Sequence, residues 1–412
     1  MSLLDKNISQ LLKLMELNEI SSQEITKACI DNIEKDMDSE TYHALLKDEA
    51  IKHAKAIDKK RKDNQDSGTL SGIPYAVTDD ISTKGILTTA GSKVLENYIP
   101  PFDATVIERL SDADSIMLGK IKINEFGLTT SNRVSEALNS KGAIFGLSSS
   151  MDGSKVSMKP TFGLISRYGV IGATSSFDQI VPVTNCVEDL TLVLNCIVGY
   201  DKRDSASINK EKVDYTKSLT TDIKGLKVAV PSGVANDYMD KIVMKLENLG
   251  AIIQEVSLST LEYILPVYKI LSSAEFASNS SRYDGISLGY RTDEFKDIDE
   301  LYKKTRSAGF GKEAKKTILF GNYTISSGQY DNFYNKAQKI RMLIRDEFTK
   351  FTREYGLILL TYGENEGFNL AANVVGLPSM TIPYGIQFIG SYLGEEELIK
   401  IGYALESQGG VK

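Results

Sequence analysis

The chain reads as an α/β protein built on a sheet with helices on its faces. Two observations predict this. From about residue 70 onward, short apolar runs punctuated by glycine alternate with helical stretches, the texture of strands feeding helices. GLKVAVP (225–231), a helix beginning at MDKIVMKLENLG (239–250) and AIIQEVS (251–257) form a βαβ unit in miniature. With 412 residues, 42% hydrophobic and 25% charged, the chain has enough apolar material for one large domain or two.

The elements follow in order. Residues 8–62 read as helices. Ser21 and Glu24 form a capping-box pair ahead of a run in which Ile25, Ala28, Cys29 and Ile33 recur at helical spacing. KKRKDNQDSG (59–68) reads as a solvated linker, and His43 and His53 as residues of an exposed helix face. IPYAV (73–77), a helix at 104–113 and SIMLGKI (115–121) open the alternation, with the strand from Gly72 to Val77 expected at its centre. A second helical block spans about 292–355, and in it Ile340, Leu343, Ile344 and Phe348 line one face. LILLTYG (357–363) and MTIPYGIQFIG (380–390) return to strand texture, and EEELIKIGYALES (395–407) ends as a helix.

Composition excludes several classes of function. Two histidines and three cysteines without CxxC, HxxxH or HExxH spacing leave no nitrogen–sulfur metal site. A net charge of −7 without a long basic run argues against direct nucleic-acid binding. No run approaches the roughly 18 apolar residues of a membrane span. The polar start MSLLDKNISQ and the sparse, odd cysteine count predict a cytoplasmic protein with reduced thiols, Cys29, Cys186 and Cys196 acting as small buried hydrophobes. Neither nucleotide-binding glycine fingerprint nor Gly-x-Ser-x-Gly occurs. Residues 140–157, SKGAIFGLSSSMDGSKVS, are dense in serine and glycine. They suit either a flexible surface loop or one whose amides face a ligand oxygen, and a serine nucleophile here would need lysine or a second serine as its base.

Residues 72–128 closely resemble the amidase signature family, and are most similar to its branch of tRNA-dependent amidotransferase components that hydrolyse glutamine. The likeness resumes at 159–207, 281–292 (SRYDGISLGYRT), 334–344 (YNKAQKIRMLI) and 374–383 (VVGLPSMTIP). It implies a single amidase-signature α/β/α domain around a mixed central sheet, with residues 1–65 as an N-terminal helical segment packed on the core and 66–412 as the signature domain with trimmed loops. It also implies Ser-cis-Ser-Lys chemistry on an amide, no cofactor, and B- and C-type subunits as partners beside a small amino-acid or amide ligand.

The resemblance places Thr78 where the triad lysine belongs, and a threonine hydroxyl cannot serve as the proton acceptor at neutral pH. Lys84 falls outside the triad position. Ser154 takes the nucleophile position and Gly153 the glycine before it in the oxyanion region, while Asp152 replaces an oxyanion-hole glycine. The loop that would carry the cis-serine reads as deleted, since Ser131 fits an upstream turn better. Further deletions are expected after Val156, after Leu360 and between Gly385 and Ile386. Tyr283 and Arg341 match the residues that hold the amino-acid end of glutamine, and Glu366 stands in place of an aspartate that holds the α-amino group. The expected protein is therefore a catalytically impaired amidase-type hydrolase retaining ligand or partner binding. The alternative is an active glutaminase supplying ammonia for Glu-tRNA(Gln) or Asp-tRNA(Asn) amidation through Ser154.

Overall fold

The computed structural model describes residues 3–35, 41–129, 133–234, 237–363 and 365–409. Among them eleven strands join one sheet: β1 (Tyr42–Leu45), β2 (Pro74–Thr78), β3 (Ile116–Ile121), β4 (Phe145–Ser148), β5 (Val156–Lys159), β6 (Val181–Thr184), β7 (Lys227–Pro231), β8 (Ile252–Val256), β9 (Leu357–Thr361), β10 (Ser379–Ile382) and β11 (Ile386–Gly390). Their order across the sheet is β1-β3-β2-β4-β6-β5-β10-β11-β9-β7-β8. The sheet is mixed, as expected. β2 runs parallel to β3 and β4, and β7 parallel to β8 and β9, while the other neighbours pair antiparallel.

The helices are α1 (Ile8–Glu16), α2 (Ser22–Lys35), α3 (Lys47–Lys62), α4 (Thr105–Asp112), α5 (Val134–Asn139), α6 (Val187–Ile197), α7 (Asp237–Asn248), α8 (Ile264–Asn279), α9 (Ile298–Gly309), α10 (Lys312–Thr324), α11 (Lys336–Tyr355), α12 (Glu366–Val375) and α13 (Glu395–Ser407). Every residue of β2, β4, β5, β6, β9, β10 and β11 is buried, which requires cover on both faces of the sheet. The main core runs from Leu4 to Leu405 on α13, and a smaller apolar cluster gathers Val94, Phe126, Phe276, Tyr283 and Phe310; the chain is a single α/β domain.

Ser21 and Glu24 form the expected reciprocal cap: Glu24 N–H donates to Ser21 Oγ at 3.2 Å and Ser21 N–H to Glu24 Oε2 at 2.7 Å. The β7-α7-β8 unit is present with parallel strands. Other expectations need correction. Within the stretch read as helical, Tyr42–Leu45 is a strand against β3, and the Tyr42 hydroxyl donates to the Gly142 carbonyl at 2.9 Å. Four residues carry too little periodicity to reveal a strand whose stability comes from a distant partner. His43 is therefore exposed on an edge strand, and His53 is half-buried on α3. Lys59–Lys62 close α3, leaving only the remainder of the linker segment as exposed loop. Leu343 is 61% exposed, because the buried stripe of α11 runs through Ala337, Ile344, Phe348 and Thr352. Cys29 is buried as expected, whereas Cys186 and Cys196 are half-buried.

β2 is third from one edge of the sheet, and the middle position belongs to β5. β5 holds that place because β6 pairs with it on one side and β10, from the far end of the chain, on the other. The turn between β10 and β11 is short, Pro383-Tyr384-Gly385, with Tyr384 at φ +78° and Gly385 at +69°. Strands β10 and β11 thus form a tight hairpin.

Helices α8 and α10 cross closely at Gly321, where a Cβ would collide with the Ser273 carbonyl and lie 2.8 Å from the Ala277 Cβ. Alanine normally stabilises a helix interior over glycine by about 1 kcal/mol. Overpacking against a backbone carbonyl costs about 1–3 kcal/mol, so the clash wins. Gly321→Ala should lower the midpoint of thermal unfolding; an increase would show that the two helices separate freely.

Candidate functional site

A cavity of about 360 Å³ opens where the end of β5, the loop after β4, the 170–181 segment and helices α8, α10 and α12 meet. Its chemistry starts with Lys159, the last residue of the middle strand and only 1% exposed. A strand buried on both faces is ordinarily apolar throughout, so this amine requires partners. Nζ donates to Gln179 Oε1 at 2.7 Å and to the Pro160 carbonyl at 3.3 Å. Burial pushes the amine down to about 7, against the attraction of the Glu395 carboxylate.

Three carboxylates also line the cavity, each with a partner. Asp178 accepts from the Thr174 N–H at 2.7 Å and hydroxyl at 2.6 Å, while burial pushes its carboxyl upward. Asp80 accepts from the Thr78 hydroxyl at 2.5 Å. Glu366, the first residue of α12, is exposed and paired with Lys269 at 3.2 Å. From the serine-rich segment, Ser149, Ser150 and Met151 reach the cavity. Ser150 N–H donates to Ser148 Oγ at 3.1 Å, and the two hydroxyl oxygens are 3.5 Å apart.

Of the six expected site residues, Glu366 alone lines this cavity. Thr78 is buried behind Asp80 at the end of β2. Ser154 is exposed, and its N–H and hydroxyl both donate to Asp152 Oδ1, at 2.7 and 2.6 Å. Gly153 lies under Tyr362, where a Cβ would come within 2.6 Å of the ring, and its carbonyl accepts from Gly385 N–H at 3.1 Å. Tyr283 stacks behind Phe126, with ring centres 5.5 Å apart. Phe126 forms part of the cavity wall and is held at φ +52° among Phe276, Tyr283 and Phe310. The Arg341 guanidinium is already spent. Its Nε donates to the Val374 carbonyl at 2.9 Å, its two terminal nitrogens to Ser176 Oγ at 3.0 Å and the Ser176 carbonyl at 3.3 Å, and its plane lies 4.4 Å over the Phe177 ring. Arg341 thus fastens the wall bearing Phe177. Lys84 is exposed, Lys155 donates to Asn185 Oδ1 at 2.6 Å, and Ser131 lies outside the described residues.

Lys159, Asp178 and Gln179 are cavity residues that sequence reasoning did not single out. The available signal was a lysine closing a short apolar strand directly before proline, in VSMKP. Among the described residues no cluster of three or more His, Cys, Asp or Glu side chains is arranged to hold a metal, and no helix is long and apolar enough to cross a membrane.

A mixed sheet clothed in helices, with a cavity at the end of its middle strand, defines a single-domain α/β fold. The chain belongs to the amidase family, whose model matches residues 24–140 and 154–373. The match breaks at 141–153, the stretch spanning β4 and the serines. The chain is similar to the A subunit of glutamyl-tRNA(Gln) amidotransferase from Carboxydothermus hydrogenoformans, at 36% identity over 96% of each chain. It is also similar to the corresponding protein of Staphylococcus aureus, at 35% identity over 99% of this chain and 98% of the relative. The alignment with the first runs over 464 positions against 412 residues here, so the relative carries segments this chain lacks. Among solved structures, the A subunit of the Thermotoga maritima glutamyl-tRNA(Gln) amidotransferase superposes with a TM-score of 0.75 at 25% identity, covering 99% of this chain and 95% of its own. The peptide amidase of Stenotrophomonas maltophilia shares the fold, with a TM-score of 0.80 at 23% identity over 98% and 96% of the two chains.

Proposed function

We propose that this chain is an amidase-family protein, like the A subunit of a glutamine-dependent tRNA amidotransferase, that is impaired in hydrolysis and retains its cavity for binding. The observation that carries this reading is the hydrogen bonding at the expected nucleophile position: Ser154 is an exposed residue whose hydroxyl donates to the Asp152 carboxylate, not to an amine. A carboxylate within one hydrogen bond of the attacking oxygen would repel the oxyanion formed on attack. At the base position, Thr78 is buried and donates its own proton to Asp80. Loss of base and of oxyanion stabilisation each costs several orders of magnitude in rate. The near-full-length likeness to the amidotransferase relatives favours B- and C-type subunits as partners. It also supports a second reading, an active glutaminase using Ser154 to supply ammonia for tRNA-bound substrates.

Ammonia release from glutamine separates the two. The impaired reading expects turnover at least about a thousandfold below the common 1–10³ s⁻¹ range, unchanged in Ser154→Ala. Turnover within that range and abolished in Ser154→Ala would establish the second reading.

A further inference from the structure

The sheet has two outer margins, and they differ. On β1 a bulge between Tyr42 and Ala44 interrupts the ladder, one of the devices that keep an edge from pairing with other chains. β8, at the other margin, is regular from Ile252 to Val256 and contains no lysine, proline or bulge. Toward β7, Ile252 N–H donates to the Leu226 carbonyl at 2.8 Å and the Val256 carbonyl accepts from Ser232 N–H at 2.8 Å. Strand alternation therefore turns the backbone groups of Ile253 and Glu255 outward. Among the described residues nothing pairs with the Ile253 N–H, the Ile253 carbonyl or the Glu255 N–H, and the Glu255 carbonyl accepts only from Gln254 Nε2 at 3.1 Å. Apolar surface accompanies the open backbone: Ile252 is 51% exposed, and Met244, on the α7 helix packed beside β8, is 62% exposed.

We propose that β8 is a self-association edge: it pairs antiparallel with β8 of a second copy of this chain about a twofold axis at Gln254, joining the two sheets into one. The inference is independent of the reading of the cavity. The occupant is a second copy because the outward groups lie symmetrically about Gln254, which makes the edge its own complement. With Gln254 opposite Gln254 of the second copy, Ile253 of each chain exchanges both backbone bonds with Glu255 of the other, and every open N–H and carbonyl on the edge is used. The side chains select the same register. Glu255, the edge's single charge, then faces Ile253, and Ile252 faces Val256. Moving the axis to Glu255 would set two carboxylates against each other, and like charges directly opposite destabilise a strand pair. The edge is short, so the dimer belongs with weak associations and forms at about 10–100 µM.

Sedimentation velocity of the full chain between about 1 and 200 µM tests this. The mass should rise with concentration toward twice that of the chain. Gln254→Glu and Gln254→Lys each set like charges opposite one another across the axis, with Cα atoms about 4.5 Å apart, and each should weaken self-association at least about tenfold. An equimolar mixture of the two variants should associate at least as strongly as the wild type, because opposite charges then meet at the axis. Glu255→Pro removes an outward N–H while leaving the bonds to β7 in place, and should weaken the dimer likewise. An unchanged thermal midpoint shows that the Gln254 variants are folded, and if Glu255→Pro does not fold, the charge pair decides alone. A chain that stays monomeric at about 200 µM, a dimer indifferent to substitution of Gln254, or a mixture that associates no more strongly than either variant overturns the assignment.

Discussion

Replacing Lys159 with methionine should raise the midpoint of thermal unfolding at pH 7 and flatten its dependence on pH. The amine has its ordinary value near 10.4 in the unfolded chain. In the folded chain burial brings it down to about 7. Between those values the unfolded state holds a proton that the folded state lacks, so wild-type stability rises with pH through that window, and below about pH 7 the penalty is fully present. Lys120 adds the same sign: burial brings it down to about 8, with the Ile81 carbonyl as its acceptor. Thiol ionisation opposes both, because burial raises Cys29 to about 12 and the unfolded thiol ionises first. The rise should therefore be clearest between about pH 7 and 8.5. Methionine fills similar volume without charge, so the exchange relieves the desolvation of an amine that has no ion-pair partner among the described residues, at the loss of two hydrogen bonds to neutral acceptors. Scanning calorimetry at pH 7 and 8.5 checks both statements. A lower midpoint for Lys159→Met at both values would mean that the amine's hydrogen bonds outweigh its desolvation.

Arg341→Ala should destabilise the fold by about 2–4 kcal/mol. The truncation removes three hydrogen bonds and a cation–π contact, and it leaves the Val374 carbonyl without the donor it has here. It also loosens the Ser176 loop, which Glu275 holds from the other side through Ser176 N–H at 2.9 Å and the Ser176 hydroxyl. Arg341→Lys should recover only part of the loss, since an ammonium cannot reproduce a planar fork that serves three acceptors and stacks on Phe177. Urea unfolding measures the change. If Arg341→Ala kept full stability while losing amino-acid binding, the substrate-holding role implied by family resemblance would stand in place of the wall-fastening role.

What was legible in the sequence depended on the range of the interactions involved. The β7-α7-β8 unit and α13 read correctly because period and spacing are local properties. β1 did not, because Tyr42–Leu45 is a strand only in the presence of β3. The central place of β5 was hidden for the same reason, as it depends on β10. Within α11, Leu343 and Ile344 are equally apolar, and only the neighbours decide which is buried. At the site, family strings gave Thr78 and Ser154 as expected triad positions but could not report direction. Ser154 turns to Asp152 at the surface, and Arg341 turns into the wall. Lys159 looked like one more polar residue beside a proline, although its buried amine lines the cavity and donates to Gln179 and the Pro160 carbonyl.

The pairing of β5 with β10 also orders events in time. Ser379, opposite Lys159 in the register, leaves the ribosome roughly 220 residues later. At common elongation rates that is a delay on the order of 10–40 s. A sheet assembling as the chain emerges would have β5 as an open margin for that time, and a margin carrying a solvated lysine resists pairing with other chains. In such a sheet the amine would lose its water when the C-terminal hairpin docks. On that order of assembly the charge that penalises the finished protein would guard the unfinished one, and Lys159→Met should trade a more stable product for a nascent chain more prone to aggregate.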